Sequence, residues 1–201
     1  MSNLTFAMKL PEAWRLLRIA WRPARAVGVA LMSAAICGLI VFFAYSNAFV
    51  TNMTPQGGSW RTFDITVLYQ SSYAGMMIYL VLLWLVALPI QAGSSVNGEF
   101  QVGTWIFQQT APQSARRLLL GKLLGAPGDV YTATAAILPF AVLFLFLAGL
   151  PVLHFAAALV LVLVLAFTAA SIMVFLSFIS GRHHGALVYL AMFGLVLLAF
   201  Y

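Results

Sequence analysis

From about residue 26 to residue 48 the chain carries no charged side chain, and four later stretches repeat the pattern with ionisable residues only at their edges. Such a run reaches the roughly 20 apolar residues needed to cross a hydrocarbon core about 30 Å thick. Within that core no water satisfies backbone groups, so a single spanning segment must be a helix, which closes its hydrogen bonds internally. Composition agrees: 64% of the 201 residues are hydrophobic and only 7% are charged, against about 25% charged in soluble domains. The expectation is an all-α integral membrane protein, a polytopic helical bundle of about five spans.

The placement of charge then orients the chain. Lys9, Arg15, Arg18, Arg22 and Arg25 precede the first span, Arg116, Arg117 and Lys122 fall in one long loop, and Arg182 lies in a short later turn. Only Arg61 falls on the other side. This is the bias of Lys and Arg toward cytoplasmic segments, so the net charge of +6 reflects topology and not a nucleic-acid surface. A cytoplasmic N-terminus follows; a bacterial inner-membrane location is the expectation. No cleavable leader is evident, and the lone Cys37 lies in an apolar run, which leaves no disulfide framework.

Residues 1–25 form a cytoplasmic unit whose centre, 11–22, reads as an interfacial amphipathic helix. Leu10, Trp14, Leu17 and Trp21 share one face, and Arg15, Arg18, Arg22 and Arg25 another, suited to anionic lipid headgroups. Pro23 would break this helix before span one (26–48), in which Ala30, Ala34 and Gly38 make a small-residue ridge. An external loop is expected over 49–72, span two over 73–93, a cytoplasmic loop over 94–128, span three over 129–150 and span four over 154–180. A cytoplasmic turn at 181–185 leads into a fifth apolar run from 186. That run stops at Tyr201 without a polar flank, which predicts that the protein continues further.

Catalysis finds little support in these residues. The four acidic side chains, Glu12, Asp64, Glu99 and Asp129, are far apart in sequence, whereas a divalent metal handling phosphate needs clustered carboxylates. His183 and His184 are adjacent, so on a helix they diverge, and His154 sits at a span end. No metal site, catalytic residue or cofactor-binding motif is expected. Gly121-Lys122 lacks the Gly five residues earlier and the following Ser or Thr of a phosphate loop. No ionisable side chain lies near the centre of a span, so a carboxylate-driven carrier is also disfavoured.

The loop 94–128 is the exception to this apolar chain. Phe100, Trp105, Ile106 and Phe107 make a bulky piece, Pro112 breaks it, and Ser114 is placed to cap a second, basic helix through Lys122. Glu99, Gly103-Thr104, Thr110-Ala-Pro112, Ser114 and Leu120-Gly-Lys-Leu-Leu-Gly125 together resemble the loop of type-two permeases of ATP-binding-cassette (ABC) transporters. The match departs from that pattern at the inserted Ala111 and at Gln101 and Val102, where the family often has charge. The motif covers about 27 residues, and the topology around it extends the likeness along most of the chain.

The resemblance implies a membrane subunit of a transporter, most simply an exporter, with a sixth span beyond the five read here. It implies no ATPase site in this chain: ATP and magnesium would be bound by a separate ABC ATPase subunit, and a second permease copy or half would complete the pathway. Glu99, Phe100, Gly103, Thr104, Trp105, Ile106 and Phe107 would form the coupling contact to that ATPase, with Arg182 and His183 as a secondary contact. Two alternatives stand beside it, a non-transporting scaffold or assembly factor whose loop docks another partner, and an intramembrane enzyme using His183 or Asp129.

Overall fold

The computed structural model describes residues 22–53, 59–103 and 115–180. Helix α1 (Pro23–Asn47) is followed by strands β1 (Phe49–Met53) and β2 (Ser59–Phe63). Three further long or connecting segments are helix α2 (Ile65–Val102), helix α3 (Ala115–Gly125) and helix α4 (Gly128–Leu147), and the last is α5 (Val152–Ser180). Among the described residues four helices (α1, α2, α4 and α5) are long and apolar enough to cross a membrane. Large apolar side chains such as Leu31, Phe42 and Phe43 on α1, and Leu153, Val160 and Phe175 on α5, face outward. In water such a surface would be untenable; in lipid it is the solvated face. The chain is an integral membrane protein, and its described residues are almost wholly helical.

The elements start where their caps dictate. Pro23 occupies the first turn of α1, where its missing N–H costs nothing. Asp64 caps α2, its carboxylate accepting from the backbone N–H groups of Thr66 at 2.8 Å and Val67 at 3.4 Å. The connection between α1 and α2 is an antiparallel hairpin that pairs Phe49 with Phe63 and Met53 with Ser59. The Asp64 N–H donates to the Ala48 carbonyl at 2.9 Å and closes its base. There Tyr45, Phe49 and Phe63 gather with ring centroids 5.4–5.5 Å apart.

Two boundaries differ from the sequence expectation. The stretch 49–72 is not a loop throughout: it holds the hairpin, and α2 begins at Ile65 because Asp64 supplies the cap. Span two does not end near 93. Its helix runs on to Val102, so the stretch 94–128 opens with that continuation, and α3 lies where the second, basic helix was expected. Span three starts at Gly128, within one residue of the expected start, directly after the turn at Ala126-Pro127. The N-terminal segment 11–22 up to Trp21, the turn 181–185 and the fifth apolar run lie outside the described residues.

Two apolar clusters hold the bundle. Cys37, Met76, Leu80, Ile137 and Ala141 join α1, α2 and α4. Nearer the other end, Trp84, Leu88, Ala92, Val96, Leu123, Val130, Ala166, Ala170 and Val174 join α2, α3, α4 and α5. Span one therefore packs through Ser33, Cys37 and Ala44, one step around the helix from the expected ridge, and Ala34 and Gly38 are left facing outward.

Between the clusters α2 widens. The Leu88 N–H donates to the carbonyl of Leu83, five residues back, and Leu83–Ala87 form a π turn. Pro89 follows immediately; it lacks an N–H for the Leu85 carbonyl and its ring would clash there, so an extra residue in the turn relieves both problems.

Candidate functional site

At 38 residues, α2 is roughly 57 Å long at about 1.5 Å per residue, nearly twice the hydrocarbon thickness. Ring contacts fix its level in the bundle. Tyr69 lies 6.3 Å from Phe144 and Trp84 lies 5.8 Å from Tyr131, so the 20-residue α4 spans the same depth as the first half of α2. Leu88–Val102 consequently extends past the start of α4. There it packs along the end of α5, so closely that a Cβ on Gly93 would stand 3.0 Å from Ser177 Oγ. Helix α3 lies against both. The three form a platform at the end of the bundle that carries Arg22, Arg25, Arg116, Arg117 and Asp129.

The sequence of α2 here (Ser94-Ser-Val-Asn-Gly98) is a poor helix former. Packing sustains it, because Leu88, Ala92 and Val96 are fully buried on one face and helix stability in proteins comes mainly from such faces. The helix stops at Gly103, which caps it with φ 75°, a left-handed conformation that favours glycine.

Inside the platform Lys122 and Glu99 form an ion pair. Lys122 is wholly buried and Glu99 is 8% exposed. Their positions matter: Glu99 lies one turn before the end of α2, and Lys122 lies in α3, so the pair ties together the two arms that flank residues 104–114. A second pair, Arg25 with Asp129, joins the start of α1 to the start of α4. Arg25 is half exposed there, which limits its strength through solvent screening.

From Lys122 a chain of contacts leads into the bundle. Tyr131 of α4 donates its hydroxyl to the Leu123 carbonyl at 3.3 Å. The Tyr131 ring meets Trp84, which lies in the π turn and whose Nε1–H donates to Thr134 Oγ1 at 3.0 Å. Thr134 in turn donates to the Val130 carbonyl at 2.7 Å. Trp84 also meets Phe167 of α5 edge-on at 6.1 Å. The platform, the π turn and three spans are thus joined by an unbroken chain of contacts.

No protein-family model matches the chain, and no curated protein or solved structure matches it.

The residues singled out from sequence fall into three groups. Glu99, Phe100 and Gly103 sit together at the end of α2, with Phe100 half-buried against the apolar cluster and the Glu99 side chain turned inward to Lys122. Arg22 and Arg25 lie exposed at the start of α1, Arg25 with an intramolecular partner. Thr104, Trp105, Ile106 and Phe107, together with Arg15, Arg18, Arg182 and His183, lie outside the described residues. Sequence reasoning read Lys122 as a loop charge and part of the loop motif without its partner, and it passed over Trp84. A basic residue on the apolar side of a short helix was the available signal for the first; nothing in the spacing links it to an acid on another helix. Among the described residues no group of three or more His, Cys, Asp or Glu side chains could hold a metal ion.

Proposed function

We propose that the chain is the membrane-spanning subunit of an ABC-type transporter, most simply an exporter, driven by ATP hydrolysis in a separate subunit. A coupling element must pass force from a soluble ATPase to the spans, so it must be rooted in them rigidly. The platform supports this reading. The segment that resembles the coupling loop of type-two permeases is flanked by α2 and α3, and the buried Glu99–Lys122 pair joins these arms at their base. On this reading the charged end of the bundle faces the cytoplasm, residues from Phe100 to Phe107 meet the ATPase, and a second copy or half completes the pathway. ATP and magnesium bind to the partner.

The test is co-expression with an ABC ATPase encoded beside this gene. The two proteins are expected to purify together and the membrane subunit to stimulate ATP hydrolysis. Trp105→Ala combined with Phe107→Ala is expected to weaken both association and stimulation. Association and stimulation that are indifferent to these substitutions overturn the reading, and stable docking of a protein without ATPase activity favours a scaffold.

A further inference from the structure

We propose that Lys122 is a positioning residue: with Glu99 it makes the joint through which force on residues 104–114 reaches spans two and three. Three observations carry it. A lysine that is wholly buried beside a carboxylate is an expensive way to hold two helices, because well-packed apolar side chains of similar volume commonly stabilise more. The pair's advantage is directional, since it fixes which residue of α3 stands opposite which residue of α2. Its location is the second observation, between the last turn of α2 and α3, at the foot of both arms of the segment. The third is the route onward: the residue after Lys122 offers its carbonyl to Tyr131, and Tyr131 leans on Trp84 in the π turn, the one place in α2 where the helical ladder is already widened. A displaced α3 moves α4 directly and α2 at its most deformable turn.

A contiguous route is not in itself proof of coupling, so the test perturbs the joint and reads both its geometry and its consequence. Spin labels at Gln101→Cys and Arg116→Cys, both exposed positions on the two arms, report the spacing of the arms in the full chain in lipid nanodiscs, with Cys37 replaced by Ala. A narrow distance distribution is expected for the parent and a broad one for Glu99→Gln with Lys122→Met, which removes both charges while keeping volume. The exchanged pair, Glu99→Lys with Lys122→Glu, is expected to restore the narrow distribution. A narrow distribution for the neutral pair overturns the proposal, and if the neutral pair fails to fold, an exchanged pair that stays broad overturns it instead.

The consequence rests on the transport reading. Glu99→Gln with Lys122→Met is expected to leave ATPase association intact and to lower its stimulation several-fold, with stimulation regained in the exchanged pair. If the parent binds no ATPase while the pair still sets the arm spacing, the transport reading falls and the joint stands. If stimulation is unchanged in Glu99→Gln with Lys122→Met, the positioning role falls and the transport reading stands.

Discussion

Lys122 could be mistaken for one more positive charge on a membrane-proximal loop, and its burial changes what substitution there should do. Removing one partner of a buried pair strands the other charge, at a cost of about 3–5 kcal/mol, so Lys122→Ala is expected to destabilise strongly in denaturant titration, whereas Lys122→Met with Glu99→Gln is expected to recover most of the loss. Equal losses in the two variants would show that the pair is not what holds that side of the platform. Trp84 offers a smaller effect. Its indole N–H bond to Thr134 is worth about 1 kcal/mol, and Trp84→Phe keeps most of the ring contacts while losing that bond. At this scale the sequence revealed residue types but not partners. Glu99 stood out because acids are so few, yet its pairing with Lys122 joins two helices, and no periodicity within either helix encodes it.

The helices themselves were legible wherever apolarity decided them, and misread where a cap or tertiary packing did. Residues 65–72 contain Thr, Tyr, Gln and two serines, a composition that reads as loop, but Asp64 caps the turn and Ser72 is fully buried in the packed helix. The hairpin was signalled by β-branched and aromatic residues on both sides of Pro55-Gln-Gly-Gly58, and that signal was overshadowed by the long spans. The cap gives a direct prediction: Asp64→Ala should cost about 1 kcal/mol, read as a lower midpoint of unfolding, while Asp64→Asn or Asp64→Ser should retain most of it. Packing gives another. A Cβ on Gly75 would fall 2.6 Å from Ile40 Cγ2, so Gly75→Ala should force α1 and α2 apart at a cost of about 1–3 kcal/mol. Shortening the opposing side chain with Ile40→Ala should relieve part of that penalty, giving a double variant less destabilised than the sum of its parts. Strict additivity would place these two helices further apart than described.

For the whole molecule, the same few charges that locate the platform also fix a direction across the membrane. Arg22, Arg25, Arg116, Arg117 and Lys122 gather at the end of the bundle where α4 begins, whereas the hairpin and Asp64 lie at the opposite end, at the level of Phe144. Basic residues in short loops are retained on the cytoplasmic side during insertion, so the platform should face inward and the hairpin outward. Cys37 makes this measurable, because it is buried and replaceable by Ala, leaving a background in which single cysteines report their own side. Arg116→Cys is expected to react with a membrane-impermeant maleimide only in inside-out vesicles, and Thr66→Cys, exposed beside the hairpin, only in right-side-out ones. The reversed pattern would refute the orientation and remove the platform from any cytoplasmic ATPase. Labelling of both positions from one side would refute the crossing of α2, on which the distance between hairpin and platform depends.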